Sequence, residues 1–394
     1  MMHSTGLPQA RELTHDQLGK VLVDHIGRGL EERHLQGFVD RLYVDLFRKH
    51  AMSIEDLERV RPLSRVRRTI LANAVRIEPL LELERSILSK YDGTRRMVFR
   101  IRRTTGDDAT GARNESARIE AVAIPRRDDL TLCISSQSGC ALACSFCATG
   151  LLGFRDNLTT AEILEQHAWA ERETNKRVTD IVFMGMGEPL MNYDAVLEAA
   201  HRFTETACAQ ISYKKLVIST AGVVPQIHRY ARERQPFPLY FSITSAISEK
   251  RRELMPIENT YPLPELVDAI RAYLRSRRWN KRATLEYVAI PGENMGEEDV
   301  RAIGETFGSL PIILNVIPYN ATDGRYRPPT WSEVKAFTTR LRDLKIPVKV
   351  RFSGAKTERG GCGQLTADLV AGAPLEGHHL APPGIFTDLG NSSN

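Results

Sequence analysis

From about residue 130 onward the chain repeats one unit, a short β-rich run followed by an amphipathic helical run. The β-rich runs lie at 130–135, 180–184, 215–220, 238–244, 283–290 and 312–319. A further one at 347–352 follows the helical run near 331–344. Strands that alternate with helices are joined by crossovers, and crossovers build a parallel sheet covered by helices. The expected fold class is therefore α/β, with six βα units. The 394 residues, 42% hydrophobic and 26% charged, suffice for one large domain of roughly 200 to 250 residues plus a smaller one.

Ahead of this core, Leu35, Phe38, Val39, Leu42, Tyr43, Leu46 and Phe47 recur at three- and four-residue steps, and Ser53 with Asp56 resembles a capping box. Residues 1–92 are expected to form a small helical accessory domain that binds RNA. Met97, Phe99 and Ile101, then Ile119, Val122 and Ile124, alternate as strands, so 93–125 reads as a long-looped hairpin linker carrying Glu120. The core runs over 126–370, and the Gly-, Pro- and Ser-rich tail at 371–394 is expected to be disordered, leaving His378 and His379 in solvent. With no signal-like start and no run of about 18 apolar residues, the expectation is a soluble, cytoplasmic chain without membrane contact.

Six cysteines in a long chain of this kind argue for metal or catalytic use over a disulfide framework. Cys140, Cys144 and Cys147, spaced x3 and x2, follow the first core strand and can share one metal centre. Structural zinc is normally closed by four ligands, whereas three thiolates on a four-iron cluster leave one iron open to substrate. Zinc with a distant fourth ligand is the alternative. The ends of the following strands carry Gly185-Met186-Gly187-Glu188-Pro189, Ser219, Ser242-Ile243-Thr244 and Asn320. Barrel enzymes place their chemistry at such strand ends. Cys208, alone on a helical run, reads as a small buried hydrophobe.

The net charge of +5 is small, but basic residues cluster at Arg61, Arg65, Arg67 and Arg68; at Arg95, Arg96, Arg100, Arg102 and Arg103; and at Arg275, Arg277, Arg278, Lys281 and Arg282 around Trp279. Each group alone is a solvated face; three together make RNA a candidate partner.

The cysteine spacing, with Phe146 before the third thiol, resembles the radical S-adenosylmethionine (SAM) signature. The set Glu120, Cys133, Cys140-x3-Cys144-x2-Cys147, Gly185-x-Gly187-Glu188-Pro189 and Cys362-Gly363-Gln364-Leu365 resembles the RlmN and Cfr family of radical SAM RNA methyltransferases, from about Arg95 to Asp368. The resemblance implies a partial (β/α)6 radical SAM barrel with a small N-terminal helical domain. It also implies one 4Fe–4S cluster on Cys140, Cys144 and Cys147, and SAM, used twice per turnover, beside Gly187, Glu188, Ser219, Ser242, Ile243, Thr244 and Asn320. Cys362 would carry the methyl group as S-methylcysteine, Cys133 would form a transient disulfide with it, and Glu120 would accept a proton. The implied reaction is methylation of carbon 2 or carbon 8 of an adenine in ribosomal RNA, tRNA or both, by a monomer served by an electron donor such as a flavodoxin system. An electron-poor ring carbon cannot attack a SAM methyl group as a thiolate does, which is why the family's radical route is needed.

Two stretches depart from the family pattern: Ser242-Ile243-Thr244 replaces Ser-Leu-His, and residues 353–361 differ from the usual lead into the carrier cysteine. A radical SAM enzyme acting on a peptide or small molecule, and a non-enzymatic zinc-dependent RNA-binding module, are the competing readings.

Overall fold

The computed structural model describes residues 7–25, 32–102, 117–127, 129–277, 282–352 and 360–365. The expectations for 104–116, for most of 353–361 and for the tail at 371–394 lie outside the described residues. Four helices open the chain: α1 (His15–Asp24), α2 (Glu32–Phe47), α3 (Ile54–Val60) and α4 (Arg65–Ala74). Ser53 caps α3 as expected, its side chain accepting from the Asp56 N–H. Leu35, Phe38, Val39, Leu42, Leu46 and Phe47 bury the stripe of α2 in a core continuous with the rest of the molecule.

The sheet is then built in chain order. Strands β1 (Leu81–Leu88), β2 (Arg95–Ile101), β3 (Arg118–Arg126) and β4 (Asp129–Cys133) pair antiparallel. From β4 the sheet turns parallel through β7 (Val178–Phe183), β8 (Leu216–Thr220), β9 (Leu239–Ser242), β10 (Ala283–Ala289), β11 (Ile312–Pro318) and β12 (Val348–Val350). The intervening helices are α5 (Ala148–Leu151), α6 (Thr160–Thr174), α7 (Tyr193–Thr204), α8 (Val224–Arg232), α9 (Ser248–Leu254), α10 (Leu263–Ser276), α11 (Glu297–Phe307) and α12 (Trp331–Asp343). A small side sheet pairs β5 (Gln137–Gly139) with β6 (Phe154–Asn157). The six core strands and the seventh sit where their apolar runs put them.

Two expectations are corrected. Residues 81–88, taken with the helical segment, form β1; the sequence Leu-Glu-Leu-Glu alternates at period two, and Glu82 and Glu84 face arginines of the neighbouring strands. The 93–125 hairpin is not a free-standing linker, since β2 and β3 belong to the main ten-stranded sheet. The second basic cluster is correspondingly committed. Arg96 is buried on Glu120, Arg100 and Arg102 bond Glu82, and Arg95 bonds Ser86. Arg103 lies outside the described residues. No helix among the described residues is long and apolar enough to cross a membrane.

Candidate active site

Strand β4 delivers Cys133, and the chain then runs into a loop whose base is fixed from two sides. Buried Gln166 on α6 accepts from the Ser135 N–H and donates to the Ser135 carbonyl, and Asn192 donates to the carbonyls of Ser136 and Leu158. The β5–β6 pair closes the loop. At Gly139 (φ 76°) a Cβ would fall 1.8 Å from the Gly153 carbonyl oxygen, so only glycine permits the crossing. The loop so held carries Cys140, Cys144 and Cys147, with the Cys147 N–H donating to the Cys144 carbonyl at 3.1 Å. Burial pushes the Cys140 thiol up to about 12 and the Cys144 thiol well above its ordinary range, with the nearby Cys147 adding to both.

A cavity opens beside these thiols. It is lined by Gly187, Glu188, Ser219, Ser242 and Asn320, five of the seven residues expected around SAM, together with Met184, Glu286 and Cys362. Gly187 (φ 95°) has no room for a side chain, because a Cβ would lie 2.5 Å from Gln137 Cβ. Glu188 is buried, its carboxylate accepting from the Leu190 N–H (3.0 Å) and the Ala221 N–H (2.8 Å). Burial nevertheless raises its pKa to about 7, so a cationic partner is favoured there. Ile243 and Thr244 are the two of the seven that stand away from this cavity. Both are fully buried and neither lines the cavity; Thr244 holds the strand-end turn at φ 50°, with its carbonyl bonded by Asn294.

The loop bearing Cys362 docks on the loop bearing Cys140, Cys144 and Cys147. The Ala148 N–H donates to the Gly363 carbonyl at 2.7 Å, Thr149 Oγ1 donates to the Leu365 carbonyl, and Asn320 Nδ2 donates to the Cys362 carbonyl at 3.1 Å. Gln364 ties the loop internally, accepting from the Gly361 N–H and donating to the Ala321 carbonyl. Cys362 is thereby exposed at the junction of two cavities: the one beside the cluster thiols and a second, of about 840 Å³, inside the barrel. Cys133 lines the second cavity, where burial and then the proximity of Cys362 push its thiol strongly up. Both cysteines are free thiols.

Glu120 is fully buried, and Arg96 grips both its oxygens, Nε to Oε2 and Nη2 to Oε1, each at 2.7 Å. Alternation puts it on the same face of β3 as Val122, which pairs with Cys133 and lines the barrel cavity. The sequence reading missed Glu286. It accepts from Ser219 Oγ at 2.8 Å through Oε2, while Oε1 is buried without a hydrogen bond, and it lines both cavities. Its signal was a lone acid inside the apolar strand run at 283–290.

Residues 134–303 match the Radical SAM superfamily. The chain is 42% identical to a probable RNA methyltransferase of Myxococcus xanthus over 88% of its length and 92% of that protein's. It is 36% identical to the dual-specificity RNA methyltransferase RlmN of Syntrophobacter fumaroxidans, covering 86% of this chain and 95% of that one. The chain belongs to the RlmN family of radical SAM RNA methyltransferases. The fold agrees: the crystal structure of a radical SAM methyltransferase from Sphaerobacter thermophilus superposes with a TM-score of 0.79 at 30% identity, over 91% of this chain and 99% of that one. Members of this superfamily carry a 4Fe–4S cluster and bind SAM, and the thiols here fit a cluster better than a single ion. Four ligands at about 2.3 Å would hold zinc-bound sulfurs roughly 3.8 Å apart. Among the described residues the only three such ligand atoms within 4.8 Å of one another belong to His50, His167 and Glu171, not to the cysteines.

Proposed function

We propose that this RlmN-family enzyme moves a methyl group from SAM to Cys362 and from there to carbon 2 or carbon 8 of an adenine in ribosomal RNA, tRNA or both. The observation that carries this reading is the position of Cys362 at the wall shared by the cluster-side cavity and the barrel cavity, with Cys133 lining the latter. A group loaded on one side is thereby presented on the other.

When bound, the cluster supplies the electron that splits SAM reductively and gives the radical able to activate an S-methyl group. The remaining work falls to the chain. Gly187, Glu188, Ser219, Ser242 and Asn320 surround SAM, with the Glu188 carboxylate taking its ammonium group. Cys362, as thiolate, displaces the methyl from a first SAM and, once activated, bonds the adenine carbon through that methyl carbon. Glu120, oriented by Arg96, accepts the ring proton. Cys133 attacks the Cys362 sulfur, releasing the methylated adenine and leaving a disulfide that a reductant must reopen in every turnover. A flavodoxin-type donor and a second SAM complete the cycle.

The test is anaerobic incubation with reductant, total RNA and methyl-deuterated SAM, followed by mass spectrometry of nucleosides. The expected product is an adenine methylated on carbon with two deuteriums; three would mean direct transfer and remove Cys362 from its role. Cys362→Ala should give neither product nor adduct, and Cys133→Ala should accumulate a protein–RNA crosslink.

A further inference from the structure

Away from the active site, metal-binding side chains gather where the N-terminal helices meet α6. His167 and Glu171 stand one turn apart on the same side of α6. His50 reaches them from the opposite direction, just past the end of α2. Its backbone adopts the left-handed conformation (φ 56°) that a helix end usually gives to glycine, so an imidazole is kept there in spite of the strain. His50 Nε2 lies 2.8 Å from Glu171 Oε2, and the rings of His50 and His167 meet edge to face at 5.3 Å. His167 Nε2 lies 3.4 Å from Glu171 Oε1 but makes no hydrogen bond, although the residue is 3% exposed. Phe203 packs on the His167 ring at 5.5 Å and holds it, yet offers the nitrogen nothing. A hydrogen-bonded pair accounts for His50 and Glu171; it leaves the third member with a desolvated nitrogen beside them.

Two imidazoles and a carboxylate are a donor set suited to zinc. Ligand atoms of a tetrahedral zinc ion, each about 2.0–2.2 Å from the metal, stand roughly 3.3–3.5 Å apart. The three ligand atoms here lie within 4.8 Å of one another, with 2.8 and 3.4 Å along the two edges to the carboxylate. The Val178 N–H donates to Glu171 Oε1 at 2.7 Å and fixes the carboxylate, as outer-shell partners do at metal sites. The neighbouring guanidinium groups are engaged elsewhere. Arg11 bonds Glu165 and the carbonyls of Leu46 and Ala51, and Arg172 bonds the His50 carbonyl and Asp56.

We infer that His50, His167 and Glu171 form a second metal site, separate from the cysteine loop, in which a zinc ion ties the N-terminal helices to α6. Three protein ligands leave one position for water, and the Glu171 side chain, 20% exposed, gives it access. The residue before His167 on α6 is Gln166, which braces Ser135 at the base of the cysteine loop. The ion therefore stiffens the helix from which that loop is hung, and takes no part in the reaction itself.

The test counts zinc where the cysteine loop cannot hold it, in the full chain carrying Cys140→Ser/Cys144→Ser/Cys147→Ser. This parent should retain about one equivalent of zinc through gel filtration, measured by elemental analysis, and its Tm should rise with added zinc. Adding Glu171→Gln, or separately His167→Gln, should weaken zinc affinity by more than about 100-fold, beyond the cost of losing an outer-shell partner, and abolish the rise in Tm. Glu171→Gln keeps the size of the side chain and an oxygen for the Val178 N–H, so its Tm without zinc should stay near that of the parent. Cobalt(II) bound to the parent gives a readout that needs no ligand variant: visible d–d bands without a sulfur charge-transfer band are expected for two nitrogens and an oxygen. A parent that binds no zinc, an affinity unchanged by both substitutions, or a sulfur band in the cobalt spectrum would each overturn the site.

Discussion

Glu120 and Glu286 are both buried carboxylates facing the inside of the same sheet, one in its antiparallel front and the other in its parallel core. In the front, both oxygens of Glu120 are taken up by Arg96, and around it Glu82 and Glu84 are matched by Arg100 and Arg118. In the core, Glu286 keeps one buried oxygen without a hydrogen bond, Glu188 is raised to about 7 by burial, and two thiols of the cluster loop are pushed up as well. The front carboxylates are each gripped by arginines, whereas Glu286 Oε1 in the core has only Arg351 Nη1 at 4.0 Å and no hydrogen bond.

The largest expected effect is in the core. Alanine at Cys140, Cys144 or Cys147 should abolish 5′-deoxyadenosine formation from SAM, because two thiolates cannot hold a cluster with one defined open iron. A reconstituted variant that still forms 5′-deoxyadenosine would break the assignment of that loop. Melting should be far less affected than turnover.

Next comes the front, where the prediction is reversed. Arg96→Met strands the buried Glu120 carboxylate and should cost about 3–5 kcal/mol of stability, measured by denaturant unfolding of the apo chain. The double variant Arg96→Met/Glu120→Gln should recover part of that loss, though not activity.

A smaller effect is a pH dependence. The folded pKa of Glu188, about 7, lies above the ordinary carboxylate value of 4.5. Ionisation therefore disfavours the folded state: the destabilisation is absent below about 4.5, grows as pH rises and is complete above about 7, reaching on the order of 3 kcal/mol. Against Glu188→Gln, the apo wild type should lose stability across that window, and saturating SAM should restore it through its ammonium group. A flat difference curve would show that Glu188 is already satisfied, as Glu120 is.

The smallest effect belongs to Arg100 and Arg102, whose pairs with Glu82 are screened by solvent and contribute little. Arg100→Gln/Arg102→Gln should leave stability and RNA affinity close to wild type. A large loss of RNA affinity would return this patch to the phosphate-binding role that its sequence suggests.

Much of this was legible beforehand. The core strands follow from apolar runs that both periodicity and spacing announce, and the cysteine loop from its spacing. What was hidden depended on pairing across the sheet. Arg96 reads as part of a basic cluster until β3 brings Glu120 to it, and β1 reads as part of a helical stretch until Glu82 and Glu84 meet the arginines of β2 and β3. Thr244 sits at the end of the right strand but turns into the core, because backbone at φ 50° redirects its side chain, a feature that residue type does not announce.

The strands of the main sheet lie side by side in the order in which they occur along the chain, from β1 to β12, with only the small β5–β6 pair set apart. During synthesis each emerging strand therefore meets an edge already present and has no need to insert between two earlier ones, so the sheet can grow from one side as the ribosome releases it. The segment bearing Cys362 is the last described part of that sequence to emerge. Its docking partners, Ala148, Thr149 and Asn320, have all been made by then. The exposed thiol of Cys362 thus arrives at a surface that is already folded, which shortens the time in which it could pair prematurely with Cys133.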